Sequence, residues 1–505
     1  MLFNSYIFIF LYLPVVTIGY FFLCRKYIQF RLIWLFICSL IFYVYWNLSD
    51  IYVLVFSILL NTIFIAILRY TTSKCLARVT LIVAIASNLS LLLYYKYVNF
   101  IINSINSVFF FTESSIQPLP SLVVALPLGI SFFTFTQIVV VVDTFYNRTQ
   151  KYDFLTYSLF VTYFPHLLAG PLVHHKDLIS QLKDTRLARW SWGNVAEGLT
   201  IFIIGLAKKL VLADQFGQYA NIVFENNYQD SPARFYLAWM GALSYTFQIY
   251  FDFSGYTDMA LGISKMFGIN LPQNFNSPYK SKNLIEFWHR WHITLSQFLR
   301  DYLYIPLGGN RSGKLFQYRN IFITMCLGGL WHGANWTFVI WGLFHGIALV
   351  FTHEVLSWRV IKSIQRLKCR RLVNLLAVLI TFVFVVVTWV IFRADTLTIA
   401  LNILEHMFVV TSKSINESSL DARYSIFVEY KNYLYNYNFG WQKNILFVAV
   451  GFVIVWAMPN TNEFISGKKM IKWSPSFLTF CSFIMVFHYC LYKISDSSQF
   501  IYFQF

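Results

Sequence analysis

The residue of this chain best suited to chemistry is His332, set between glycines in an apolar run. It lies in CLGGLWHGANWTFVIWG, where Gly328, Gly329 and Gly333 let backbone and ligand approach closely, and Trp331, Trp336 and Trp341 supply rigid walls. Burying an ionisable imidazole among apolar side chains is unfavourable unless the ring is paired or used. A neutral imidazole near its ordinary pKa can take a proton from a hydroxyl, so His332 suits general-base catalysis. The structural alternative is a histidine hydrogen-bonded between helices, and His345 admits the same two readings.

The elements that must position His332 lie in residues 277–346, the stretch around which the chain is organised. Asn283 followed three residues later by Glu286 fits a helix N-terminus, and the helix is expected to run to Pro306 and the Gly308–Gly309 pair. Glu286, Arg290, Arg300 and Asp301 make it too charged to cross lipid unshielded, so it should line an interface or a water-filled vestibule. His289 and His292 would share a face of such a helix. An H-x-x-H pair can begin a metal site, but no carboxylate or cysteine is an obvious third ligand, so no metal is expected. One of the two rings should point inward and the other toward headgroups or water.

Two earlier stretches combine polarity with apolar context. In YFPHLLAGPL, Pro165 and Pro171 bracket His166 and Gly170, which suggests a broken or re-entrant segment buried in protein. In YFDFSGYTD, Asp252 and Asp258 flank Gly255, which reads as a helix interruption that shapes a cavity, the alternative being an ion path. The chain carries no G-x-S-x-G, P-loop or dinucleotide fingerprint, hence neither a serine nucleophile elbow nor a nucleotide loop of its own.

Composition sets the class. Of the 505 residues 58% are hydrophobic, 20% aromatic and 12% charged, and the mean hydropathy is +0.57. A soluble protein carries roughly twice that charged fraction, so the excess apolar surface must face lipid. Apolar runs of spanning length occur near 2–23, 32–49, 51–68, 79–98, 122–142, 195–213, 235–251, 321–354 (two), 372–392, 443–458 and 476–493, about a dozen crossings. The first lacks a basic flank and a small-residue cleavage site, so it reads as a retained span and not a signal peptide. The net charge of +17 sits in short loops and marks topology, with no nucleic-acid footprint. Arg25, Lys26 and Arg31, then Arg69, Lys74 and Arg78, then Arg148 and Lys151 follow alternate runs, which puts the N-terminus outside and these loops in the cytoplasm. Lys280 to Arg319, with seven Lys or Arg, falls on the same side and could hold an anionic cytosolic ligand or lie against anionic lipid headgroups. Seven scattered cysteines without a C-x-x-C pair read as packing residues. Residues 412–444 form a polar interruption, either a loop or a partner-docking segment.

The combination EFWHRWHITLSQFLRDYLYIPLGGNR and GGLWHGANWTFVIWGLFHG, with YFPHLLAGP, QIYFDFSGYTDMALG and TWVIFRADTLTIAL, closely resembles the bacterial membrane-bound O-acyltransferases over nearly the whole chain. Within them it resembles the branch of alginate and peptidoglycan O-acetylation subunits and teichoic acid D-alanyl transfer proteins. The resemblance implies one all-α polytopic membrane domain over 1–505, with about 11–12 spanning helices plus re-entrant or interfacial helices ringing a central tunnel, and the C-terminal helices falling in 372–505. It implies that His332 is the catalytic histidine and His292 the second, with His289 standing where relatives usually have arginine. The expected donor is a thioester, acetyl-CoA, with no permanently bound cofactor. Lys280, Lys282, Arg290 and Arg300 would attract its phosphates, Trp291 and Trp331 would line the tunnel, and Asn335 or His292 would stabilise the oxyanion. A separate extracytoplasmic transferase resembling the SGNH hydrolases is the expected partner, in the bacterial cytoplasmic (inner) membrane. The rival readings are D-alanyl transfer from a carrier-protein thioester, a solute transporter or channel, and an idle scaffold.

Overall fold

The structure is a computed structural model, described over residues 1–23, 27–111, 118–146, 152–225, 234–357, 370–409, 441–467, 473–498 and 500–501. All regular elements among the described residues are helical. Five helices are long and apolar enough to cross a membrane: Asp50–Tyr70, Lys74–Phe110, Trp336–Ser357, Arg371–Arg393 and Phe477–Asp496. Half or more of each apolar window is left uncovered by protein, as lipid contact requires. Five shorter apolar helices, Phe8–Phe22, Ile28–Val44, Ile130–Phe145, Leu397–Phe408 and Lys443–Ala457, complete the apolar set. The chain is an all-α polytopic membrane protein.

Some apolar runs fold differently from their hydropathy. The run at 122–142 becomes helical only at Ile130, after Pro127 and a left-handed Gly129 (φ 72°). The run at 321–354 divides into two helices, Lys314–His332 and Trp336–Ser357. Arg31 is not a loop charge: it lies inside Ile28–Val44, 2% exposed, its guanidinium 5.4 Å from the Tyr20 ring centroid. Arg25, Lys26, Arg148, Lys151, Cys24, Cys369 and nearly all of the 412–444 stretch lie outside the described residues. The five described cysteines are free thiols, and no metal-binding cluster occurs among the described residues.

The chain divides into two compact units, one of Met1–Gly205 with Tyr256–Gln273, the other of Leu206–Gly255 with Asn274–Ile501. In the first, Phe3, Phe8, Tyr12, Phe42 and Phe164 form one aromatic nest. The YFPHLLAGPL segment is broken as expected, with a one-turn helix Phe164–Leu167 wholly buried. His166 Nε2 donates to the Phe160 carbonyl at 2.9 Å. Buried His175 bridges Asp143 (Nε2 to Oδ2, 2.9 Å) and the Tyr152 hydroxyl (Nδ1, 2.9 Å).

The expected interruption at Tyr250–Asp258 does not occur. The backbone runs as one helix, Arg234–Met266, straight through Gly255. Asp252 needs no frayed backbone because its carboxylate is satisfied from the side. Lys209 Nζ lies 2.6 Å from Oδ1 and the Ile501 N–H 2.9 Å from Oδ2. Lys209 also meets Asp214 at 2.9 Å and Ser498 at 3.2 Å, and Phe500 covers the ammonium at 4.6 Å. In this buried cluster both carboxylate oxygens of Asp252 are paired, which favours a structural part for Asp252 over an ion path.

Candidate active site

Two antiparallel helices place His332. Lys314–His332 and Trp336–Ser357 touch backbone to backbone, since a Cβ on Gly329 would fall 2.4 Å from the Phe338 carbonyl oxygen. One on Gly342 would fall 2.4 Å from that of Met325. Only small residues allow helices this close. His332 is the last residue of the first helix, and Gly333 carries the chain away in an extended conformation.

His332 is 5% exposed and lies among aromatic rings. Trp331, Trp341 and Phe392 have centroids 5.0, 5.3 and 5.2 Å away. Trp341 stacks on Trp389 at 5.6 Å with planes 13° apart. His345 takes the structural option: Nε2 meets Thr388 Oγ1 at 3.1 Å, and that hydroxyl donates to the Val385 carbonyl.

The helix expected from Asn283 to Pro306 begins as read, with Asn283 Oδ1 accepting the Glu286 N–H at 2.9 Å, and then breaks. Leu284–Trp288 ends before the histidines, and Ile293–Leu299 starts after a left-handed residue, His292 itself (φ 44°, ψ 54°). Neither piece is long enough to cross a bilayer. A left-handed conformation at a non-glycine residue costs on the order of 1–3 kcal/mol and persists only where the surroundings impose it. Asn274 imposes it here. Its carbonyl accepts the Ile293 N–H at 2.9 Å. Its Oδ1 lies 3.2 Å from the Thr294 N, 3.0 Å from Thr294 Oγ1 and 3.1 Å from His292 Nδ1.

The break separates the two histidines of the H-x-x-H pair, which no longer share a face. His292 is 0% exposed, while His289 is exposed at a cavity wall. Burial holds the His292 ring well below the ordinary imidazole range, at about 3, so it is neutral. Trp331 is a ring neighbour of both His292 (6.3 Å) and His332 (5.0 Å), so the two family histidines are brought together around one indole.

The other expected site residues are placed as follows. Trp291 is 1% exposed in a cluster with Phe275, Phe287 and Trp389, packed in the interior. Asn335 is engaged in holding its own loop: Nδ2 donates to the Asp395 carbonyl at 2.8 Å and Oδ1 accepts the Thr337 N–H at 3.1 Å. One amide hydrogen and the amide oxygen of Asn335 are thereby engaged in holding the loop. Arg290 pairs with Glu286 at 2.8 Å and donates to the Asn276 carbonyl. Arg300 pairs with Asp301 at 2.7 Å, and Lys280 Nζ reaches the Met458 carbonyl at 2.9 Å. Lys282 is solvent-exposed.

A cavity of about 560 Å³ opens beside this segment, lined on one side by Trp288, His289, Gln297 and Arg300 and on the other by Ile321 and Met325 of the helix that ends at His332. Its wall residue Trp288 meets Trp341 at 5.8 Å, and Trp341 meets His332. Sequence reasoning missed Trp288 and Asn274. The run of tryptophans signalled the first, but nothing local signalled the second, 18 residues from its partner.

An all-helical membrane fold with two buried histidines around a tryptophan suits acyl transfer, and comparison with known proteins agrees. The chain belongs to the MBOAT, membrane-bound O-acyltransferase, family, whose model matches residues 22–394. It is similar to the peptidoglycan O-acetyltransferase of Helicobacter pylori, 42% identical over 450 residues that cover 84% of this chain and 82% of that protein. It is similar also to the probable alginate O-acetylase AlgI of Pseudomonas aeruginosa, 39% identical over 421 residues, 83% and 76% of the two chains. The teichoic acid D-alanyltransferase of Streptococcus thermophilus is 27% identical over 339 residues, 60% of this chain and 82% of that one. The protein is an acyltransferase.

Proposed function

We propose that the protein moves an acetyl group from a cytosolic thioester, acetyl-CoA, across the membrane to an extracytoplasmic acceptor, for O-acetylation of a cell-envelope polysaccharide, peptidoglycan or an alginate-like glycan. The names of its relatives support acetyl and these glycans, and higher identity over more of the chain favours them over D-alanyl transfer from a carrier-protein thioester. The observation that carries the reading is the sequence of ring contacts from the cavity wall at Trp288 through Trp341 to His332.

The donor's acyl end enters that cavity, with its phosphates near Arg300 of the cavity wall and attracted by the basic residues Lys280, Lys282 and Arg290 of the same segment. The acceptor oxygen attacks the thioester carbonyl carbon while His332 takes the hydroxyl proton. The carbon–sulfur bond then breaks, and the thiolate leaves with the proton held by His332. The protein sits in the bacterial cytoplasmic membrane with its N-terminus outside, and a separate extracytoplasmic transferase of the SGNH-hydrolase kind receives the acetyl group.

The test supplies radiolabelled acetyl-CoA to membrane vesicles and follows label onto polysaccharide or partner. Wild-type protein transfers label, and His332→Ala, shown to be inserted at equal level, does not. Wild-type transfer in that variant rejects the assignment. Label accepted only from a D-alanyl carrier thioester replaces acetyl by D-alanyl.

A further inference from the structure

We infer that Asn274 is a positioning residue that locks His292 in one tautomer, with the proton on Nδ1 and the lone pair on Nε2, so that His292 meets substrate as an acceptor of a proton or hydrogen bond and not as an oxyanion donor. The inference rests on the acyl-transfer reading above and deepens it.

The tautomer follows from donor and acceptor inventory. The Thr294 backbone N–H can only donate, and it lies 3.2 Å from the Asn274 side-chain atom that also faces His292 Nδ1. That atom is therefore the amide oxygen, which can only accept. Nδ1 of His292 must then carry the hydrogen, and a neutral imidazole has one. Nε2 then has its lone pair in the ring plane, which argues against the expectation that His292 donates to an oxyanion. Fixing one ring nitrogen through the other is how histidine chemistry is commonly set.

The arrangement is rigid. Asn274 and His292 are each 0% exposed. The backbones on either side are tied by Ile293 N to the Asn274 carbonyl and Asn276 N to the Arg290 carbonyl, both 2.9 Å. Phe253 meets the His292 ring at 4.8 Å with planes 77° apart, and Trp331 meets it at 6.3 Å. The charged or titratable groups adjoining these contact residues in the chain are Asp252, bound to Lys209 and next to Phe253; His332, next to Trp331; and Arg290, bound to Glu286 and two residues before His292.

The experiment measures acetyl transfer from radiolabelled acetyl-CoA in vesicles against pH for wild type, Asn274→Asp and Asn274→Leu. A carboxylate at 274 still accepts all three donors but favours the imidazolium. Asn274→Asp should therefore transfer more slowly, with the acid limb of the profile displaced upward by a pH unit or more. Asn274→Leu should lose tenfold or more in kcat with KM changed less than threefold. An Asn274→Leu variant with wild-type kcat, or an Asn274→Asp variant whose acid limb stays at the wild-type pH, overturns the inference. A direct measurement separates this failure from that of the acyl-transfer reading. In ¹⁵N-histidine-labelled protein, the signal lost in His292→Gln should be that of an Nδ1–H tautomer in wild type and should change in Asn274→Leu. An Nε2–H signal in wild type refutes the tautomer whatever the protein transfers.

Discussion

His332 and Trp341 meet edge to face, ring centroids 5.3 Å apart and planes at 89°. Such a pair contributes about 0.5–1.5 kcal/mol beyond its buried area and fixes the imidazole's direction. On the proposed mechanism, an imidazole held this way does not need to be found by rotation once substrate arrives.

Trp341 is 1% exposed and stacked on Trp389. Trp341→Ala should destabilise the protein by about 3–5 kcal/mol and reduce acetyl transfer in vesicles at least tenfold. Trp336→Ala, on the same helix at a residue 52% exposed, should stay within about 0.5 kcal/mol of wild type. Thermal unfolding in detergent together with the vesicle assay reads both.

The glycine contact between the two helices has no slack. Gly329→Ala and Gly342→Ala each drive a methyl group against a carbonyl oxygen 2.4 Å away, and should each cost about 1–3 kcal/mol by forcing the helices apart. Gly193→Ala, where the nearest atom is 3.7 Å away, should stay within about 1 kcal/mol of wild type. Equal melting temperatures for all three variants would contradict the close approach.

Lys209 neutralises two buried carboxylates. Lys209→Ala leaves Asp252 and Asp214 without their cation and should destabilise by about 3–5 kcal/mol, seen as a lower midpoint in detergent unfolding. Adding Asp252→Asn to Lys209→Ala should recover part of the loss, since one stranded charge is removed.

The neutral ring of His292 has a pH signature. Its folded-state value of about 3 lies below the ordinary 6.5, so at acid pH the unfolded chain binds a proton that the folded one refuses. This contribution to stability is complete above about pH 6.5 and is lost as pH falls toward 3. Unfolding midpoints measured from pH 8 to 4 should therefore fall less steeply in His292→Gln than in wild type.

What could be read from the sequence was local. The N-terminal signal at Asn283, the division of the 321–354 run into two, the broken segment around Pro165 and the packing of Trp331 and Trp341 on His332 all depend on nearby residues, although Trp336, also read as a wall, is 52% exposed. What escaped depended on distant partners. The break at His292 is imposed by Asn274 from another loop, and the helix through Asp252 stays whole because Lys209, 43 residues earlier, answers its charge. The commitment of Asn335 to Asp395, 60 residues on, was equally invisible. Periodicity and motif spacing carry no information about such pairings.

The cluster around Lys209 also has a biosynthetic consequence. Its hydrogen bond to Ser498 spans 289 positions, and Asp252 waits for the amide of Ile501. A nascent chain emerging from the ribosome thus holds this knot of charge half-tied until Ser498 and Ile501 have been translated. A chain stopped between Asp252 and Ser498 would carry Lys209, Asp214 and Asp252 without the hydroxyl and amide that complete their pairing.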